Sequence, residues 1–313
     1  MTPGIFHEKW LSPTVEPVNK LVWRMSAGAQ FDILTGAYIP SELLARQQAS
    51  IASVSASLGP NIYVALSGGI DSQAACLLLR RANVKFTIVI MQFRDDLNIH
   101  DVSSAITFCT THRFKYTLVD FNILSFLGRD LPSYVVKYNC PSPQLSAHCR
   151  FYEMLIERFA PSAIICGGNP PCIRDGKWEF ISNRSHSVWM TFAEINKYPL
   201  VGNFLGYTLD IALPFMLFQP DMPTDIALRY IAKVTGMHRL GLSVIPQQQK
   251  YTGFELVKEH FANMTGDGWA FEKFFRLPHH SKYPEYDSLL ELPEEITEVL
   301  RERHALAQIN KEE

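Results

Sequence analysis

The sequence carries almost no net charge: 29 lysines and arginines stand against 31 aspartates and glutamates in 313 residues, a balance of -2. No global field then recruits nucleic acid or an anionic membrane, which weighs against a tRNA partner and leaves room only for a local basic patch. The first ten residues, Met1 to Trp10, lack the apolar core of a signal peptide, so the expected location is the cytoplasm, with reduced cysteines. The longest weakly charged stretch, Pro199 to Pro220, contains Asp210 and Pro214 and is expected to be a buried segment rather than a membrane crossing. Neither G-x-x-x-x-G-K-S/T nor G-x-G-x-x-G occurs, which excludes two common glycine-rich phosphate loops. No repeat of 20 to 50 residues and no low-complexity tract is present. What the composition does supply is 47% hydrophobic and 12% aromatic residues, enough to bury a sizeable core in one large or two smaller domains.

The informative stretch runs from Asn61 to Leu79, N-I-Y-V-A-L-S-G-G-I-D-S-Q-A-A-C-L-L-L. A β-branched run, Ile62 to Leu66, stops at Ser67-Gly68-Gly69, and an apolar run of helical composition follows Asp71-Ser72. Strand, glycine turn and helix N-terminus together favour an anion. The glycines let the backbone approach a ligand, and the first helical N–H groups have no partner within the helix. Ser67 and Ser72 add hydroxyl donors, and Asp71 places a carboxylate where a phosphate-bound Mg²⁺ would need one. The plainer alternative is an ordinary strand-to-helix turn in which the helix dipole favours Asp71.

The hexapeptide S-G-G-I-D-S resembles the pyrophosphate-binding loop of the N-type ATP pyrophosphatases, the adenine-nucleotide α-hydrolase superfamily. That resemblance implies an α/β fold, a doubly wound and mostly parallel sheet of the HUP type with a helical C-terminal region. It also implies ATP and Mg²⁺ as cofactors, with ATP split between its α and β phosphates to give an adenylated intermediate and pyrophosphate. Ser67, Gly68, Gly69, Asp71 and Ser72 would hold the nucleotide, with Asp71 also a metal ligand.

Along the chain, residues 1 to about 40 read as an irregular N-terminal cap. Ser41 reads as the N-cap of a helix carrying Leu44, Ile51, Val54 and Leu58 and ended by Gly59-Pro60. A helix from Ser72 to Arg81 and an uninterrupted apolar strand, Phe86 to Met91, complete a right-handed βαβ unit. A polar loop, Gln92 to His100, precedes a helix from Asp101 to Arg113 and a strand from Tyr116 to Asp120. A long connection, 121 to 143, leads to a helix from about Ser146 to Phe159 and a strand from Ala163 to Cys166. Pro223 to Val234 is expected as a helix closed by Gly236, with Ile226, Tyr230, Ile231 and Val234 on its apolar side. A peripheral charged helix follows Pro293. These readings divide the chain into a cap and helix at 1–58, an ATP-binding α/β core at 59–180, and a mainly helical substrate region at 181–313.

In the resembling family the loop after the second strand holds adenine and ribose, which makes Met91, Gln92 and Phe93 the candidates, since adenine needs an apolar wall and backbone hydrogen bonds. Gly167-Gly168 forms a second glycine turn at a strand end. In the resembling synthetases an Asp-Glu pair follows there and helps hold Mg²⁺, whereas this chain has Asn169-Pro170-Pro171-Cys172. The next carboxylates are Asp175 and Glu179, and Asp175 is the candidate second metal ligand. The stretch Ile245 to Phe254 resembles the lysine-bearing segment of asparagine synthetase and β-lactam synthetase synthetase domains. There Lys250 would meet the pyrophosphate; otherwise it is a surface lysine before a helix.

Cys76, Cys109 and Cys166 sit in apolar patterns and read as small buried hydrophobes. Cys140, Cys149 and Cys172 lie near loops, with His148 beside Cys149. The Cys140-x8-Cys149 spacing is similar to half of the zinc cluster in deazaguanine-nitrile synthases, without the C-x-x-C partners. These cysteines could instead carry a persulfide, as in tRNA-thiolating relatives, or be structural, and His279-His280 reads as a solvated loop. The resemblance thus implies an AMP-forming ligase that adenylates a carboxylate or carbonyl of a small-molecule substrate for attack by a nitrogen nucleophile. No glutaminase domain is expected before it, so the nitrogen would come from ammonia, an amine or a separate glutaminase. The alternatives are a tRNA or nucleobase thiolation enzyme and a catalytically inactive nucleotide-binding partner protein.

Overall fold

Within the N-terminal forty residues, the described part is more regular than its composition suggests. Strands β1 (Leu11–Glu16) and β2 (Lys20–Met25) pair antiparallel, from Leu11 opposite Met25 to Glu16 opposite Lys20. Pro13 in one strand and the consecutive Leu21-Val22-Trp23 in the other blur the period-two alternation that would have marked them. The structure, a computed structural model, describes residues 10–16, 20–36, 39–138, 140, 142–174, 177–179, 184–248, 253–265 and 287–309. Helix α1 (Ala27–Thr35) starts at Ser26, whose Oγ accepts from Ala29 N at 3.3 Å. Helix α2 (Pro40–Leu58) begins two residues earlier than expected. Ile39 is its N-cap, Pro40 takes the first helical position that its ring favours, and Ser41 lies inside the helix without a capping role.

The expected βαβ unit follows as β3 (Ile62–Ala65), α3 (Ile70–Arg81) and β4 (Thr87–Phe93), and α4 (Ile99–Thr111) then leads to β5 (Tyr116–Phe121). Within the long connection 121 to 143, residues 123–138 are helical. A short helix α5 (Ile123–Ser125) runs through a wide π turn, Phe126–Asp130, into α6 (Leu131–Tyr138). Gly128 lies within the wide turn and Pro132 in the first turn of α6, and Leu131, Val135 and Tyr138 are buried at helical spacing. Helix α7 (Pro143–Phe159) and β6 (Ala163–Ile165) come next, then a hairpin of β7 (Cys172–Arg174) and β8 (Lys177–Glu179), helix α8 (Arg184–Asn196) and β9 (Leu200–Val201).

Strands β5-β4-β3-β6-β9 form one sheet in that order, every pair parallel. Counted in chain order, its strands run 3-2-1-4-5, a doubly wound α/β arrangement whose order reverses between β3 and β6. Alternation along β4 serves two layers: Ile88 and Ile90 join the core beneath α3, whereas Val89 joins the core that includes α7 and α8. Nine of the residues of α3 are buried, as a helix pressed onto a sheet requires.

Beyond the sheet, α9 (Leu209–Phe218) is buried along almost its whole length, and Asp210, its one charge, pairs with Arg46 at 2.6 Å. Among the described residues no helix is long and apolar enough to cross a membrane. Helix α10 (Ile226–Arg239) starts at Asp225, whose carboxylate accepts from Leu228 N at 2.9 Å, and continues past Gly236. Gly236 is there because a Cβ would collide with Gln219 on α9, a packing reason that mimics a helix stop in sequence. Its buried face also differs from expectation: Ile231 is exposed, while Tyr230, Lys233, Val234 and Met237 face inward at i, i+3, i+4 and i+7. Helix α11 (Glu255–Thr265), strand β10 (Asp287–Glu291) and helix α12 (Glu294–Ile309) complete the chain order. β10 joins β2 in parallel and β8 antiparallel, giving a second sheet ordered β1-β2-β10-β8-β7.

Candidate active site

The loop between β3 and α3 is built so that only glycine serves at its turn. Gly68 has φ +81, and a Cβ there would lie 2.5 Å from the Asp101 carbonyl oxygen. Ser72 ties the loop shut: its Oγ donates to Gly69 O at 2.8 Å, accepts from Ser67 N at 3.3 Å and meets Ser67 Oγ at 3.2 Å. Gln73, fully buried, donates to Gly68 O at 2.8 Å and Ile245 O at 3.0 Å and accepts from Ile245 N at 2.7 Å. The segment at 245 therefore braces the loop. The first helical backbone bond of α3 runs from Gln73 N to Gly69 O, so the N–H groups of Ile70, Asp71 and Ser72 precede it and have no partner within the helix.

The second glycine turn packs directly on the first. A Cβ on Gly167 would stand 2.5 Å from Asp71 O and Ser72 N, and Gly168, at φ +70, abuts Asn203. Asn169, the residue in place of the expected acidic pair, accepts a hydrogen bond from Lys233 Nζ at 2.6 Å. Lys233 lies 2.7 Å from both Asp71 carboxylate oxygens; Oδ2 accepts its hydrogen bond, and the buried Oδ1 has no hydrogen bond of its own. A lysine on α10 thus joins the two glycine turns. Lys233 escaped the sequence reading, and its one signal was a charge in the middle of an otherwise apolar helical stripe. Lys250 and Asp175 lie outside the described residues.

These turns open into a cavity of about 320 Å³ at the carboxyl ends of β3, β4 and β6, where the strand order reverses. Ser67, Gly69, Asp71, Ser72, Gly167, Gly168 and Asn169 line its polar side, and Met91, His148, Phe151, Tyr152, Cys166 and Trp189 its aromatic side. Met91 and Phe93 face the cavity; Gln92, between them on the strand, does not, and bonds Asp96 at 3.3 Å instead. Phe93 N donates to Asn98 Oδ1 at 2.7 Å and Asn98 Nδ2 donates to Met91 O at 2.8 Å, so one side chain takes up both backbone groups.

Among the described residues, Asp71 and Asp101 are the carboxylates lining this cavity. Burial pushes the Asp101 carboxyl up to about 6, against the hydrogen bond from Gln247 Nε2 at 3.0 Å, which favours the ionised form. Carboxylate oxygens are the donors Mg²⁺ prefers, and Asp71 brings such a group to the cavity wall, where it is paired with Lys233. All six cysteines are free thiols and buried, including Cys140, Cys149 and Cys172, so their position near loops does not bring them to solvent. Burial raises the Cys149 thiol well above its ordinary range and pushes Cys166 up to about 12, keeping them protonated and poorly nucleophilic. Among the described residues no cluster of three His, Cys, Asp or Glu side chains is arranged to hold a metal.

Fold and site define a doubly wound α/β protein with paired glycine turns, a helix N-terminus and a lysine–aspartate pair gathered at its switch point. No family model and no curated protein matches the chain. Among solved structures it is similar to the U34-tRNA thiolase NcsA from Methanococcus maripaludis, with 13% identity, a TM-score of 0.37, and coverage of 76% of this chain and 80% of that one. It is similar to the NH3-dependent NAD synthetase from Campylobacter jejuni subsp. jejuni, with 16% identity, a TM-score of 0.36, and coverage of 87% and 96%. A third is the NMN synthetase from Francisella tularensis, with 11% identity, a TM-score of 0.34, and coverage of 79% and 100%.

Proposed function

We propose that this chain binds ATP with Mg²⁺ at Ser67 to Ser72 and uses it to adenylate a carboxylate or carbonyl of a small-molecule substrate. The single observation that carries the reading is the Lys233–Asp71 pair beside the N-terminus of α3, a cation and a carboxylate at the place a polyphosphate would occupy. The N–H groups of Ile70 to Ser72 and the Ser67 hydroxyl would bind the phosphates. Mg²⁺, when bound at Asp71, would supply further neutralisation of their charge. A substrate oxygen attacks the α-phosphorus, the bond from that phosphorus to the bridging oxygen breaks, and the electron pair leaves on pyrophosphate. Lys233 is placed to stabilise that developing charge, the role the family resemblance gave to Lys250. A nitrogen nucleophile, from ammonia, an amine or a separate glutaminase, then displaces AMP. The protein's part is positioning and electrostatics rather than covalent chemistry.

The burial of Cys140 and Cys149, with the Cys149 thiol raised well above its ordinary range, favours this amide-forming reading over sulfur transfer. The test is pyrophosphate release with Mg-ATP across a panel of carboxylates and amines, for wild type and Asp71→Asn. Release by the wild type, abolished in a variant that still folds, supports the reading. Tight ATP binding with no pyrophosphate from any substrate would instead point to a nucleotide-binding partner protein.

A further inference from the structure

The wall of the cavity contributed by α7 and α8 has a different chemistry from the loop side. Phe151, Tyr152 and Trp189, with Met91 from β4, form an apolar and aromatic surface suited to a flat, uncharged ring. Such a ring also needs a polar partner to fix its orientation, and the strand end that would ordinarily supply one is closed by Asn98, which bonds both Phe93 N–H and Met91 C=O. Several other polar groups on the cavity wall are committed as well. The Tyr152 hydroxyl and the Cys166 thiol pair at 3.2 Å, Asp101 is held by Gln247, and Asn169 is held by Lys233.

His148 is not committed in this way. Its Nδ1 is buried and has no hydrogen-bond partner among the described residues, and its ring lies alongside Tyr152, with centroids 6.4 Å apart and planes inclined by 28°. Buried polar atoms are nearly always bonded, so an orphaned nitrogen on a cavity wall marks where a ligand atom completes the site. Burial pushes this imidazole down to about 4, so it is neutral at physiological pH. A neutral imidazole offers phosphate no charge but can hydrogen-bond an uncharged heterocycle. The polyphosphate side and the ring side of the cavity are thereby kept distinct.

We infer that His148 Nδ1 hydrogen-bonds the edge of the adenine ring of the bound nucleotide, making His148 a base-specificity residue. The inference rests on the ATP reading given above. Calorimetry of wild type and His148→Phe with Mg-ATP, Mg-UTP and inorganic tripolyphosphate tests it, because phenylalanine keeps a ring but removes the nitrogen. The expected result is a loss of tenfold or more in ATP affinity, a collapse of the ATP-over-UTP preference, and unchanged tripolyphosphate affinity. Equal ATP affinity in the two proteins, or parallel losses for ATP and tripolyphosphate, would overturn the inference and leave the ATP reading standing. Failure of wild type to bind ATP at all would overturn both. A measurement on wild type alone guards against a variant that does not fold: the ¹⁵N resonances of the His148 ring should move with Mg-ATP and stay fixed with tripolyphosphate. Movement with neither, or with both alike, refutes the assignment.

Discussion

Replacing Lys233 by methionine separates its chemical role from its structural one. Methionine keeps much of the apolar stem that packs inside α10 and removes the charge that reaches Asp71 at 2.7 Å and Asn169 at 2.6 Å. Stripping one partner from a fully buried pair costs about 3–5 kcal/mol, but the Asp71 side chain here is 28% exposed and can be rehydrated. The stability loss should therefore be about 1–2 kcal/mol, a fall in Tm of roughly 2–4 °C for a chain of this size. Catalysis should suffer far more. Removing one donor aimed at developing negative charge typically costs about 2.7–4 kcal/mol, which predicts a fall in kcat for pyrophosphate release of roughly 10² to 10³. Both quantities come from the same protein sample, one by differential scanning calorimetry and one by coupled pyrophosphate detection. A kcat within threefold of wild type beside the predicted fall in Tm would show that Lys233 merely ties α10 to the two glycine turns.

Three further outcomes follow from the geometry. Gly167→Ala places a Cβ 2.5 Å from the backbone of Asp71 and Ser72, so it should cost about 1–3 kcal/mol and abolish the rise in Tm produced by saturating ATP; a normal ATP-dependent shift would refute the packing argument. Asp101 has a folded-state pKa of about 6 against an ordinary 3.8, so its proton favours the folded state and that contribution is lost as pH rises through this window. Asp101→Asn should accordingly stabilise the protein by up to about 3 kcal/mol at pH 7.5 and by much less at pH 4.5, and equal shifts in Tm at both pH values would count against it. Cys140→Ala and Cys149→Ala should keep pyrophosphate formation within about threefold of wild type. Loss of turnover in a folded variant of either would revive sulfur transfer.

The core of the fold was legible because its signals are local. The run Ile62 to Leu66, the glycines at 68 and 69 and the apolar helix after Ser72 lie within twenty residues, and β4, α4 and β5 follow with strong periodicity. What was not legible depends on partners distant in the chain. Lys233 meets Asp71 across 162 residues, and no spacing rule links them. Gly236 reads as a helix stop in one dimension and as a packing position once Gln219 lies against it. Strand β2 becomes a strand in the presence of β10, from the other end of the chain, since an isolated two-stranded hairpin is marginal. Composition near a loop also says little about exposure, as the buried Cys140, Cys149 and Cys172 demonstrate.

The parallel pairing of β2 with β10 has a temporal consequence. During synthesis from the N-terminus, the whole of the five-stranded parallel sheet emerges before Asp287 does, so the glycine turns and the Lys233 helix can assemble first. Until then β2 keeps one side unpaired, and β8 likewise waits for Leu289 to reach Glu179. Closing so long a loop costs about 2 kcal/mol more than closing one of thirty residues, a modest penalty in equilibrium but a delay in time. The nascent chain thus exposes two unmatched strand edges late in its production, and this is the stage at which a chaperone would have the most to protect.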